Sequence, residues 1–222
     1  MANQDFEKYA DVKTIVGQVS LKWEDAFYKE LKERGYFKYD QIKFLDYGCG
    51  DGRYFSYLTQ KGFLADNICG VEVSQKRIQR CKRLGWENAC FVDFKQPIPY
   101  PDDYFEVVNC VEVIEHIPFS DIDFYLGELS RVMKPNAFLI LTTPNYPIKR
   151  IYDFVDAFLA GRWERLHDDP THVCRYSRKK LQKILSRYFS NISFSVYKEG
   201  ILYKRIKKDF FIHKILAIAS NT

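Results

Sequence analysis

Long apolar runs are missing from this chain. The longest, such as Ala137–Leu141, fall far short of the roughly 18 residues that a membrane-spanning helix requires, so no transmembrane segment is expected. The start, Met-Ala-Asn-Gln-Asp-Phe-Glu, lacks the basic and apolar stretches of a secretory signal, and the expectation is a cytoplasmic protein. No C-x-x-C pair occurs among the six cysteines at 49, 69, 81, 90, 110 and 174, which removes zinc-ribbon and thioredoxin-like readings. Without an export signal those cysteines are expected as free thiols. Repeats, low-complexity tracts and flexible linkers are absent, so residues 1–222 read as a single domain. Histidine is scarce, with four in all. Charge of one sign is scarce too: the net +5 is mild and interspersed, compatible with anionic partners but no argument for nucleic acid.

What is present suits a globular fold. With 46% hydrophobic and 28% charged residues, the chain can bury a substantial core. Trp23, Ala26, Phe27 and Leu31 recur at helical spacing behind Ser20, a candidate N-cap, with Gly35 as the stop. Short apolar runs then alternate with helix-length polar segments. Strands are expected at Ile42–Tyr47, Ile68–Val73, Ala89–Val92, Phe105–Val111, Ala137–Thr143 and Ile192–Tyr197. Helices are expected at Arg53–Gln60, from Ser74 to about Leu84, and at Ser120–Met133, Ile148–Ala160 and Ser177–Tyr188.

This alternation implies an α/β fold, a mostly parallel sheet with helices on both faces. The tail reads in two ways. Phe210–Ala219 fits an amphipathic helix behind Lys204, Arg205, Lys207 and Lys208, suited to a membrane surface, and Lys214–Ser220 fits a last strand. The strand is favoured, because a ten-residue helix is short and the sixth strand otherwise lacks a neighbour.

Chemistry enters at Asp46-Tyr47-Gly48-Cys49-Gly50-Asp51-Gly52, which ends the first strand and opens the first helix of the alternation. Glycines at 48, 50 and 52 allow a tight turn and close approach to a ligand, and the N–H groups of the helix behind them suit an anion. Twenty residues past Gly52, Glu72 ends the second strand, where a carboxylate accepts ribose hydroxyls. A nucleotide-type ligand is implied. The spacing is D-x-G-x-G-x-G rather than the G-x-G-x-x-G of dinucleotide binders.

These residues, with Val71-Glu72-Val73, Val92-Asp93-Phe94, Phe105–His116 and Arg131-Val132-Met133-Lys134-Pro135, resemble the class I S-adenosylmethionine-dependent methyltransferases over about residues 40 to 200. The resemblance implies a Rossmann-like sheet of seven strands, the last of them antiparallel. It implies S-adenosylmethionine as cofactor, contacted by Asp46, Gly48, Cys49, Gly50, Gly52, Glu72, Val73, Asp93, Phe94 and Val111. In that set Gly48–Gly52 approach the methionine part, Glu72 the ribose, and Asp93 with Phe94 the adenine. Asn136 departs from the family, which usually has glycine after Lys-Pro, at a turn that asparagine also tolerates.

Glu112-Val113-Ile114-Glu115-His116 follows the fourth strand. If the chain turns helically after Glu112, then Glu112, Glu115 and His116 share one face. Together with His172 from Asp169-Pro170-Thr171-His172, they form a candidate set of divalent-cation ligands, whose chemistry permits manganese, cobalt or zinc equally with magnesium. The bland reading is that Glu-His only bonds the loop and packs against adenine. The pattern is similar to quinone-biosynthesis O-methyltransferases, with Glu-x-x-Glu-His and a later Thr-His. It is also similar to small-RNA 3′-terminal 2′-O-methyltransferases, whose block is followed by Thr-Thr-Pro-Asn, here Thr142–Asn145. Both resemblances imply a metal that bridges enzyme and substrate hydroxyls. Without a metal, His116 or His172 is the candidate general base. His167 reads as a surface residue and His213 receives no role.

Residues 1–40 and 144–176 remain for an N-terminal helical cap and a substrate lid. In the insertion, Tyr146, Tyr152, Phe154, Phe158 and Trp163 are candidate pocket residues. For any single residue the favoured reading is that Tyr152, Val155, Phe158 and Leu159 seat the helix Ile148–Ala160 on the domain. The function expected is O-methylation of a small-molecule, glycan or lipid-like hydroxyl. RNA 3′-terminal methylation, metal-independent N-methylation and a non-catalytic cofactor-binding domain stand as the alternatives. The oligomeric state is left open.

Overall fold

The computed structural model describes residues 7, 10, 11, 24–146, 148–161, 163–166, 169, 171–196 and 214–221. Ser20, Trp23, His167, Tyr197, the basic residues 204–208 and His213 lie outside them.

Among the described residues seven strands form one sheet: β1 (Phe44–Tyr47), β2 (Ile68–Glu72), β3 (Ala89–Phe91), β4 (Phe105–Val111), β5 (Met133–Pro144), β6 (Asn191–Val196) and β7 (Lys214–Ser220). The helices between them are α1 (Glu24–Glu33), α2 (Phe55–Gln60), α3 (Gln75–Arg83), α4 (Ile122–Val132), α5 (Ile148–Ala160) and α6 (Arg178–Leu185). The strand order is β3-β2-β1-β4-β5-β7-β6, and β7 runs antiparallel to both of its neighbours. Lys214–Ser220 is therefore the last strand, and it supplies the partner that β6 required. No helix among the described residues is long and apolar enough to cross a membrane. All six cysteines are free thiols.

The apolar runs are continuous because both faces of the sheet are covered. Side chains of adjacent strand residues point to opposite faces. Phe44, Ile68, Val107 and Phe138 therefore pack with Phe27 and Leu31 of α1, Leu58 of α2 and Ile78 of α3. Their neighbours Leu45, Val108 and Leu139 pack with Leu126 and Leu129 of α4 and Leu181 and Leu185 of α6. Truncating one such residue, Phe138→Ala for example, costs about 3–5 kcal/mol.

Several boundaries differ from the sequence reading for local reasons. Gly48, Gly50 and Gly52 all have positive φ, at 76°, 56° and 78°. The loop therefore keeps turning, and α2 begins only at Phe55 and lasts six residues. Ser74 caps α3 as expected, its Oγ accepting from the Arg77 N–H at 3.3 Å. β5 starts early, at Met133, and absorbs Asn136 at φ 68° where its register against β4 shifts between Phe105 and Val107.

On α5 the seating face is also different. Ile148 and Ala157 are buried, whereas Phe154, Phe158 and Leu159 are 62%, 70% and 77% exposed. Phe158 and Leu159 do not seat this helix.

Along the sequence, β1 leads to β2 and β3 on one side of itself, and β4 is then laid down on its other side. The strand order therefore reverses between β1 and β4, and the carboxyl ends at such a reversal are where sheets of this kind take ligands.

Candidate active site

Tyr47, Glu72 and Val111 end β1, β2 and β4, and the loops that follow carry the polar groups at this edge of the sheet. The glycine loop is held to β2: the N–H groups of Gly48 and Cys49 donate to the Val71 carbonyl at 2.9 and 3.1 Å. A Cβ on Gly48 would lie 2.4 Å from a Val113 methyl carbon, so only glycine lets the two loops approach this closely.

Glu72 binds the loop from the other side. One carboxylate oxygen accepts from Gly50 N at 2.9 Å, the other from Val73 N and Ser74 N at 2.9 and 3.1 Å. Burial raises its pKa, opposed by the nearby Arg77 charge and by these three donors.

Asp46 is buried, with one oxygen accepting from Asn109 Nδ2 at 2.7 Å. Its other oxygen, and Oδ1 of Asn109, have no hydrogen-bond partner among the described residues. Burial pushes the Asp46 carboxyl up to about 7, against the Asn109 hydrogen bond. Two unanswered buried acceptors side by side make a place that favours a donor or a positive charge. Cys49 is buried too, and burial pushes its thiol far up, so it is a packing group rather than a nucleophile. Asp93 and Phe94 are half-buried after β3, with the Phe94 N–H on Asp93 Oδ1 at 2.7 Å. Val73 and Val111 are likewise half-buried at the strand ends.

Beyond β4 the chain does not turn helically at Glu112. Glu112 has φ 58°, and its N–H still bonds the Thr142 carbonyl of β5 at 3.1 Å. The tight turn covers only Ile114–His116. Glu112 and Glu115 therefore do not share a helix face. The Glu112 carboxylate accepts instead from Thr142 Oγ1 at 2.9 Å and from Lys214 of β7.

The other three residues do converge: one ligand atom each from Glu115, His116 and His172 lie within 4.8 Å of one another. Glu115 is fully buried, one oxygen accepting from Thr143 Oγ1 at 3.0 Å and the other without a partner. Burial, and after it the charge of Glu112, lifts the Glu115 carboxyl well above the ordinary carboxylate range. His116 sets its Nδ1 3.0 Å from the Thr171 carbonyl, which fixes the proton there and leaves Nε2 as the lone-pair nitrogen. Its pKa is lowered, first by burial and then by His172, whose ring lies 4.9 Å away. His172 is placed by its N–H on the Asp169 carbonyl at 3.0 Å, while Asp169 Oδ1 holds Thr171. Tyr146 OH approaches His172 Nδ1 at 3.4 Å.

The sequence reading missed Asn109, Thr143 and Lys214, and gave Tyr146 only a pocket role. A polar residue inside the run Val107-Val108-Asn109-Cys110-Val111 was the available signal for Asn109.

A seven-stranded sheet that reverses only at its last strand is the fold of S-adenosylmethionine-dependent methyltransferases. The chain belongs to the methyltransferase domain family, whose model matches residues 20–188. Among curated relatives, a ubiquinone biosynthesis O-methyltransferase of Pelagibacter ubique is 29% identical over 126 residues, covering 55% of this chain and 50% of the relative. One from Rickettsia felis is 30% identical over 108 residues, covering 47% of this chain and 42% of the relative. The matches thus span half or less of those relatives' own length. Among solved structures, a SAM-dependent methyltransferase from Archaeoglobus fulgidus superposes with a TM-score of 0.60 at 17% identity, covering 88% of this chain and 93% of its own.

Proposed function

We propose that this chain transfers the methyl group of S-adenosylmethionine to a hydroxyl oxygen of a small-molecule, glycan or lipid-like acceptor, with a divalent cation held by Glu115, His116 and His172. The observation that carries this reading is the convergence of those three side chains. The names of the two O-methyltransferase relatives support the choice of oxygen as acceptor.

The unanswered acceptors of Asp46 and Asn109 fit the positively charged methionine end of the cofactor. Gly48, Cys49, Gly50 and Gly52 would hold that end, Glu72 the ribose, and Asp93 with Phe94 the adenine, with Val73 and Val111 completing the cofactor-binding set. The cofactor brings its methyl on a sulfonium that is already a good leaving group. The residues of the chain have to align acceptor and methyl in line and keep water out.

The donor set also fits a cation. Glu115 offers a buried oxygen with no partner, and the His116 tautomer presents Nε2. Two nitrogens and one oxygen admit manganese, cobalt or zinc, and magnesium less readily. Such an ion lowers the pKa of an acceptor hydroxyl and fixes a neighbouring oxygen. Without an ion, His172 or His116 would be the candidate base for the hydroxyl's proton. Residues 144–176 and 1–40 serve as lid and cap over the acceptor.

Methyl transfer to a panel of catechols, sugars, phenolic lipids and small amines, with products identified by mass spectrometry, tests this. Products methylated on oxygen are expected, and methylation confined to amines would contradict it. A second reading, methylation of the 2′-hydroxyl at an RNA 3′ end, is favoured by Thr142–Asn145 following the Glu-x-x-Glu-His block. It predicts salt-dependent affinity for short RNA.

A further inference from the structure

We infer that Lys214 decides which cation the Glu115–His116–His172 cluster takes, by holding Glu112 out of it; this rests on reading that cluster as a cation site. The motif carries two carboxylates three residues apart, yet only Glu115 joins the imidazoles. Both oxygens of Glu112 accept hydrogen bonds away from the cluster, one from Thr142 Oγ1 and the other from the Lys214 ammonium. The pairing is built into the sheet. Lys214 opens β7 opposite Pro144, and Leu216 stands opposite Thr142, so the ladder places lysine and threonine on the same carboxylate. Glu112 and Lys214 are partly screened from water, their side chains 30% and 23% exposed.

The chemical consequence follows from the ligand count. Two carboxylates and two imidazoles would offer a hard magnesium ion two anionic oxygens. With Glu112 neutralised by Lys214, one carboxylate and two nitrogens remain. That set favours manganese, cobalt or zinc, which accept imidazole, and it leaves magnesium poorly served. Lys214 is thus a specificity-determining residue that touches neither the ion nor the acceptor.

The test measures cation binding by the full chain without acceptor, following free manganese by its electron paramagnetic resonance signal and magnesium by competition. Manganese is expected to bind the wild type, and Glu112→Gln to change its Kd by less than about threefold. Lys214→Met is expected to strengthen magnesium competition about tenfold by releasing Glu112, the size of effect that partners of metal ligands usually have. The double variant Lys214→Met with Glu112→Gln should lose that gain, and Lys214→Arg should behave as wild type. Retained S-adenosylmethionine binding shows that each variant is folded. A tenfold loss of manganese affinity in Glu112→Gln, or unchanged magnesium competition in Lys214→Met, would overturn the inference while the site stands. Absence of binding for manganese, cobalt, zinc and magnesium alike would overturn the cation site itself, and this inference with it.

Discussion

Asp46 and Asn109 are register partners on neighbouring strands β1 and β4, and the Asn109 amide donates 2.7 Å to the Asp46 carboxylate. The pair is buried, and each partner keeps one acceptor oxygen unanswered. A cationic cofactor end placed there favours the ionised form of Asp46, whose carboxyl is raised to about 7 by burial. The sign follows from linkage: binding releases a proton below that value and none above it. Affinity for S-adenosylmethionine should therefore rise between about pH 6 and 7.5 and then level off, as read by titration calorimetry. In Asp46→Asn the affinity should be weaker and flat across this range.

Asn109→Leu removes the one hydrogen-bond donor to Asp46 among the described residues and leaves the acid more poorly compensated for its burial. The midpoint of the pH profile should move upward, and cofactor affinity at pH 7 should fall about tenfold, roughly 1.4 kcal/mol. An unchanged midpoint would mean that Asp46 does not govern the profile.

Gly48→Ala places a methyl group 2.4 Å from Val113 on a backbone already at φ 76°. Strain of about 1–3 kcal/mol is expected in denaturant unfolding, together with loss of cofactor binding. Gly35→Ala also has positive φ, at 77°, but meets nothing within 4 Å. It should lose some stability and keep the cofactor.

How far all this was legible in the sequence depends on which forces were local. β4 and the cap of α3 read correctly from the apolar run Phe105–Val111 and from Ser74, because adjacent residues determine both. The start of α2 was misplaced because three successive left-handed glycines extend the turn, and no periodicity reports that. The helix face conditional on a turn at Glu112 does not form, because Glu112 takes a positive φ that glutamate rarely adopts. What holds it there, Lys214, is 102 residues away in the chain, beyond the reach of any spacing rule. Glu115, His116 and His172 were singled out from their types and scarcity, and the turn at Asp169 that brings His172 to the others is visible only in three dimensions.

Thr143 donates to Glu115 from the end of β5 and orients its carboxylate. Thr143→Val keeps the shape and removes the donor. Manganese affinity should fall by about tenfold while S-adenosylmethionine affinity stays within twofold. Equal loss of both would point to a collapsed site rather than to the orientation of one ligand.

Phe154 and Phe158 stack on each other, ring centroids 6.5 Å apart, on the exposed side of α5. Replacing both with serine should change unfolding free energy by no more than about 0.5 kcal/mol for each substitution. If this side of the lid meets an apolar acceptor, KM should rise while kcat is kept. A stability loss of several kcal/mol would show that the two rings are buried in solution.

The most direct measurement is methyl transfer by chelator-treated protein to a vicinal diol or catechol acceptor, as manganese is titrated back. The prediction is negligible transfer in the treated wild type, restored in proportion to bound manganese. No restoration is expected in Glu115→Ala or His172→Ala, although both still bind S-adenosylmethionine. Full transfer in the presence of chelator, or full activity in His172→Ala, would contradict the account.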